Sequence, residues 1–198
     1  MDKMVKTRRG GPRTFDRNKA LDIAMRLFWR HGYQGVSLND LTSAIGIAPP
    51  SLYAAFGSKA GLYRESLDRY SGLPSWMNNL GEATSLDDAV KTLLRMAVDA
   101  VTSPERERGC MISSGMIEYA QEHASIALEL ADRRNAMRDI ITETLARWLD
   151  PARAISLARY LMALLEGLSV QARDGASRRE LELVSAEVIA GIQARNLA

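Results

Sequence analysis

The chain of 198 residues holds one cysteine, Cys110, and two histidines, His31 and His123. A lone thiol excludes an internal disulfide and any cysteine-built metal cluster, and a reducing, cytoplasmic setting fits it. There is no run of about 18 apolar residues, so no membrane-crossing helix is expected. The opening MDKMVKTRRGGPR is basic but has no apolar stretch, which argues against a secretory signal. A nucleophile motif, a glycine-rich phosphate loop and clustered metal ligands are all lacking, so no catalytic residue, metal or cofactor is assigned. Strand patterns and internal repeats are lacking too. What is left is helical periodicity and an apolar content of 46%, ample for a core. The expected fold class is all-α, in one large or two small domains.

Acidic residues are scarce at one end. Up to Tyr70 there are 12 Lys and Arg against 6 Asp and Glu, whereas the remainder has 14 against 18. The net charge of +2 therefore hides a basic head on an acidic body, and only the head suits a polyanion.

The stretch SLNDLTSAIGIAPPSLYAAFGSK, residues 37–59, is the most informative part of the chain. Ser37 is a good helix N-cap, and Asp40 places a carboxylate at the positive helix start. Leu41, Ala44 and Ile45 share a face, and Gly46 suits the left-handed residue that ends a helix. A second helix begins at Pro50, because a proline disfavours the helical conformation of the residue before it. Leu52 and Phe56 turn to the core, leaving Ser51, Tyr53, Ala54 and Ala55 for other surfaces. A helix so short and small-sided suits the major groove of DNA, where it meets base edges and thymine methyls. Ser58 caps the next helix, and Lys59 at its start opposes the helix dipole, which makes sense for a cation facing a phosphate.

These residues resemble the TetR family of transcriptional repressors. The matching positions are Phe28, Gly32, Tyr33 and Gly35, then Ser37-Leu38, Asp40-Leu41 and Gly46-Ile47, then Ser51 to Phe56 with Ser58-Lys59 and Leu62. The match covers residues 14–70, and departs from the family's usual residues at Thr42 and at Ala48-Pro49-Pro50. The resemblance implies a three-helix helix-turn-helix domain, about nine helices in all, and backbone contacts to double-stranded DNA from Tyr53 and Lys59. The candidate DNA-contacting set is Arg13, Ser37, Thr42, Ser43, Pro49, Pro50, Ser51, Tyr53, Ala54 and Lys59.

Three segments follow from this division: a basic arm at 1–13, a DNA-binding domain at 14–71 and a helical body at 72–198. The arm either reaches DNA or is a solvated tail. In the head, a first helix over 16–31 buries Ala20, Ile23, Ala24, Leu27 and Phe28. His31 suits a helix C-terminus. Trp76 and Met77, in the boundary segment, either pack on the body or form a lid. Further helices are expected over 86–102, 110–121, 123–149 and 151–172, and a capping box at Ser177 and Glu180 opens a last one.

The helix over 151–172 is apolar nearly all round and must be covered all round, so a homodimer is expected, the alternative being a monomer with this as its central helix. Its proposed interface is Leu157, Leu161, Leu164, Leu168, Leu181, Val184 and Val188. Two recognition helices related by a two-fold then read a palindromic operator. Met96, Cys110, Met111, Met116, Tyr119, Met137, Ile141, Trp148 and Met162 are either core or the lining of a pocket for a small, largely apolar effector. Cys110 is either a buried small hydrophobe or, beside Arg106 and Arg108, an oxidisable thiol; His123 either donates to an effector or sits on the surface. The expected function is a ligand-released repressor rather than an enzyme. The alternatives are an enzyme using the helical pocket and a DNA-coating protein without site preference.

Overall fold

The computed structural model describes residues 15–71 and 80–196, and every regular element in them is helical. Arg13, Trp76 and Met77 lie outside the described residues. Asp16 caps α1 (Arg17–His31), accepting from the amides of Asn18 and Lys19 at 2.9 and 3.1 Å. Next come α2 (Leu38–Ile45), α3 (Pro49–Phe56) and α4 (Lys59–Ser71). The body holds α5 (Leu86–Thr102), α6 (Ala124–Leu145), α7 (Pro151–Arg173) and α8 (Arg178–Asn196). Helix α5 packs on α7 and α8, and α6 packs on α7.

The buried face of α1 is Ala20, Leu21, Ala24, Met25, Phe28 and Trp29, with Ile23 and Leu27 only half-buried. This corrects the expected stripe. The helix packs along α4 on one side, and Trp29 reaches into the body on another, so a second row of side chains is covered. Phe28 meets Tyr63 nearly edge-on, with ring centroids 4.9 Å apart, at the centre of the head.

Residues 110–121 are not the expected helix but a run of turns ending in a 3-10 turn, Gln121–His123. Tertiary partners replace the helical ladder there. The Cys110 amide donates to the Ser169 hydroxyl at 2.8 Å, and Arg134 donates to the carbonyls of Ile112 and Gly115 at 3.1 and 2.9 Å. Gly109 and Met116 both have positive φ, +78° and +51°, which no α-helix accommodates. Helix α6 also stops short of Leu149: its final turn tightens, with the Trp148 and Leu149 amides both donating to the Leu145 carbonyl. Asp150 then caps α7, as its Asp-Pro pair indicates.

Helix α7 buries Ala154, Ala158, Leu161, Met162, Leu165, Leu168, Ser169 and Ala172, but leaves Ile155, Tyr160 and Val170 between 44% and 49% exposed. Of the expected interface residues, Leu161, Leu168 and Leu181 are completely enclosed within one chain and Val188 almost so. They belong to the body's own core and present nothing to a partner. Leu157, Leu164 and Val184 keep part of their surface.

Head and body meet along a seam of mixed chemistry. Arg30 grips Glu107 with two bonds of 2.8 and 2.9 Å. Arg64 grips Glu129 at 2.7–2.9 Å, and Arg133 reaches Asp68 and Ser71. The Trp29 indole donates to the Gly109 carbonyl, and Arg173 donates to the Trp29 carbonyl at 2.9 Å. His31 is exposed at the end of α1, while His123 of the body packs against Tyr33 of the head.

Candidate DNA-binding surface and effector cavity

The turn between α2 and α3 is built from local signals. The Ser37 hydroxyl donates to Asp40 Oδ2 at 2.6 Å and accepts from the Asp40 amide at 3.1 Å, while the Ser37 amide donates to the same carboxylate. These bonds hold the Asp40 carboxyl below its ordinary pKa. Gly46 ends α2 in the left-handed conformation, its amide and that of Ile47 both donating to the Thr42 carbonyl. Helix α3 starts at Pro49, one residue earlier than expected, with no side chain capping it.

Leu52 and Phe56 anchor α3, and the guanidinium of Arg17 lies 4.6 Å from the centre of the Phe56 ring. Arg17 also donates to the Ala55 carbonyl at 3.2 Å and to Glu65 at 2.7 Å, tying the end of α3 to α1 and α4. The outward face is then Pro49, Pro50, Tyr53 (45% exposed) and Ala54, with Ser51 half-covered. Ser43 of α2 is exposed as well. Ser37 is exposed but occupied as a cap. Thr42 is only 6% exposed, and its hydroxyl donates back to the carbonyls of Leu38 and Asn39, so it is not available to a ligand. That removes Thr42 from the candidate set. The cause is that Thr42 lies on the same face as Leu38 and Leu41, which turns inward.

Lys59 opens α4, where Ser58 accepts from the Gly61 amide at 2.9 Å. Its ammonium lies 4.3 Å from the centre of the Tyr33 ring. Burial lowers the Lys59 pKa, and the nearby Asp40 carboxylate opposes that shift. Tyr33 was legible only as part of a motif; that it carries Lys59 was not, because the two are 26 positions apart and neither is charged in complement to the other.

In the body, Met111 and Ile141 are core, and Met116, Met137 and Met162 are nearly so. Met96, Cys110 and Trp148 are half-buried. A cavity of about 320 Å³ opens between the turns at 113–119, α6 and α7, and is lined by Met116, Ile117, Tyr119, Leu128, Arg134 and Glu166 among others. Of the expected pocket residues it gathers Met116 and Tyr119; the remainder do not line it. Cys110 receives hydrogen bonds at sulfur from the Tyr70 hydroxyl at 3.1 Å and the Ser113 amide at 3.4 Å. Arg108 turns away from it to the Ala176 carbonyl. Among the described residues no helix is long and apolar enough to cross a membrane, and no three or more His, Cys, Asp or Glu side chains gather as metal ligands.

Residues 20–65 match the family described as "Bacterial regulatory proteins, tetR family", and residues 87–187 match "Transcriptional regulator LmrA/YxaF-like, C-terminal domain". The chain is 34% identical over 186 residues to the HTH-type transcriptional repressor ComR of Escherichia coli K12, covering 89% of each chain. It is 32% identical over 174 residues to the repressor BdcR of the same organism, covering 87% of this chain and 86% of that protein. Among solved structures, a cysteine-substituted form of the TetR-family regulator CifR in complex with a 26-base-pair operator duplex is 37% identical, with a TM-score of 0.84 over 91% of this chain and 98% of that one. With both segments matched and close regulators similar along almost their whole length, the chain belongs to the TetR family of transcriptional regulators.

Proposed function

We propose that the chain is a cytoplasmic, homodimeric transcriptional repressor. Its two α3 helices read a palindromic operator in double-stranded DNA, and a small, largely apolar effector releases it. The observation that carries this reading is the outward face of α3: Tyr53 and Ala54 stand free on a helix whose Leu52 and Phe56 are buried. An eight-residue helix gains little stability of its own, and exposing a tyrosine on it gains nothing for folding. The operator complex of CifR, similar over most of both chains, supports the same use.

Division into an arm at 1–13, a head at 14–71 and a body at 72–198 accompanies this function. Contacts to DNA are assigned to Arg13, Ser43, Pro49, Pro50, Ser51, Tyr53, Ala54 and Lys59, with Ser37 serving first as the cap. The strip left on α7 and α8, namely Ile155, Leu157, Tyr160, Leu164, Val170, Leu183 and Val184, supports pairing with a second copy. The cavity between the 113–119 turns and α6 is the effector site. An occupant shifts DNA affinity only by its differential affinity for the bound and released forms, typically about 1–3 kcal/mol. The relatives are regulators, and we infer no catalytic role.

Selection of bound sites from random duplex DNA, followed by a compound screen for release from the winning site, tests the reading. A palindromic site with a two-fold footprint, held against competitor DNA, is the expected result. Binding without site preference and with a steep salt dependence would identify a non-specific DNA-coating protein instead.

A further inference from the structure

We propose that Tyr33 is the positioning residue of the phosphate grip: the face of its ring seats the Lys59 ammonium, and His123 of the body keys that ring in place. The inference rests on the DNA-binding reading of Lys59 and names what sets that residue's geometry. Through one ring Tyr33 joins α1, α4 and the 3-10 turn of the body. It stacks near Phe28 at 6.2 Å, tilts against Tyr63 at 5.0 Å, and meets His123 almost perpendicularly at 4.9 Å. The Lys59 ammonium lies over it at 4.3 Å, well inside the range of a cation–π contact.

Lysine carries its charge on a flexible stem, and at an ordinary exposed helix start the ammonium samples many positions. No ion pair within 4 Å holds Lys59 among the described residues, the Asp40 carboxylate acting on it only at longer range, so the ring is the group in contact with the ammonium. A cation held by an aromatic face has no ion-pair partner to give up to an incoming phosphate, whereas one held by a carboxylate would have to exchange partners. The ring itself is buried and cannot drift on the head side, because Phe28 and Tyr63 confine it.

The body side differs. His123 closes the 3-10 turn Gln121–His123 and is the N-cap residue of α6. It follows directly on the turns whose Ser113, Met116, Ile117 and Tyr119 line the cavity. Any occupant that displaces those turns displaces His123, then the Tyr33 ring, then the Lys59 ammonium. This route runs from cavity to phosphate grip without requiring α4 to swing as a lever.

Two measurements on the full chain test the proposal. Proton NMR should show the Lys59 ε-methylene shifted upfield by the ring, with the shift retained in Tyr33→Phe, lost in Tyr33→Leu and reduced in His123→Ala. An unshifted ε-methylene in the parent protein overturns the seat whatever the DNA result. In operator titrations, Tyr33→Leu should weaken binding roughly tenfold and His123→Ala by less, while Tyr33→Phe stays close to the parent. Both losses should vanish in a Lys59→Met background. Losses that persist undiminished there mean that Tyr33 acts only through the fold, and the inference falls while the repressor reading stands. A Lys59→Met protein with parental affinity likewise removes the grip but not the repressor. A parent that binds no operator sinks the repressor reading itself, and the NMR arm still decides the seat. If Tyr33→Leu fails to fold, His123→Ala and Tyr33→Phe carry both measurements.

Discussion

The indole of Trp29 donates its hydrogen to the main-chain carbonyl of Gly109 at 3.0 Å, joining two residues 80 positions apart. Trp29 lies near the end of the first helix of the head, and Gly109 precedes the turns that line the cavity of the body. The bond is buried, so neither partner can exchange it for water. A helix of the head is thus fastened to the residue that leads into the cavity-lining turns of the body.

Replacing Trp29 by Phe keeps a ring in place but leaves the Gly109 carbonyl without that donor. A buried polar group stripped of its partner costs about 1–3 kcal/mol, and the filled volume also shrinks. Urea unfolding should show a lower midpoint with an unchanged slope. An effector, once found, should release this variant from operator less completely than the parent.

Gly109 itself should not tolerate a side chain. Its φ of +78° is strained for alanine, and a Cβ there would stand 2.8 Å from Arg173 Cγ and 2.9 Å from the Ser169 carbonyl oxygen. Gly109→Ala should destabilise the fold by about 1–3 kcal/mol from backbone strain alone, again read from urea unfolding. Gly175→Ala, at a φ of +106° and with nothing within 4 Å of its Cβ, meets backbone strain without the crowding and should also destabilise the fold.

Tyr53→Ala and Thr42→Val separate DNA contact from packing. Tyr53 is exposed, so its loss should leave stability within about 0.5 kcal/mol of the parent while weakening operator binding. Thr42→Val removes a hydroxyl that bonds only to its own helix, so operator affinity should not change. Fluorescence anisotropy with a labelled operator, beside thermal melts, reads both. A large affinity loss in Thr42→Val would restore that residue to the interface.

The apolar strip of α7 predicts the oligomeric state. Ile155→Glu with Val170→Glu places charge on exposed positions and should yield a folded monomer in sedimentation velocity with greatly reduced operator affinity. Leu161→Glu alters a residue with no exposed surface and should instead abolish folding.

Acid should loosen the seam between head and body. The hydrogen bonds and charge of Arg64 hold the Glu129 carboxyl below its ordinary value. A depressed carboxylate adds stability that is present above its unfolded pKa and is lost as pH falls through its lower folded pKa. The contribution is therefore complete at neutral pH and disappears only below the ordinary glutamate range. The pair is well exposed, so water screens it and the effect is small. Carboxyl NMR titration should give Glu129 a midpoint below that of a free glutamate, and Arg64→Gln should return it to the ordinary range.

Much of the head was readable because its signals are local. A serine cap with an aspartate three residues on, a glycine ending α2, and prolines opening α3 and α7 each act within one turn of chain. The capping box at Ser177 and Glu180 likewise marked the start of α8. Periodicity alone misjudged the partners of a face. It gave α1 one buried stripe where two are covered, and it assigned Leu161, Leu168 and Leu181 to a neighbour when the body's own core absorbs them.

From its order of residues alone, this protein determined an all-helical fold, the helix-turn-helix, the basic head and the apolar excess on α7. All of these depend on composition or on spacings of three to seven residues, where caps and amphipathic faces act. Tertiary structure alone decided that residues 110–121 run as turns, that Thr42 faces inward, and that Trp29 with Gly109 and Tyr33 with Lys59 and His123 stitch head to body. The turns and the seam contacts turn on hydrogen bonds and ring contacts between residues about 19 to 144 positions apart, and the burial of Thr42 on the packing of its whole helix face, none of which exists until distant helices have packed and excluded water.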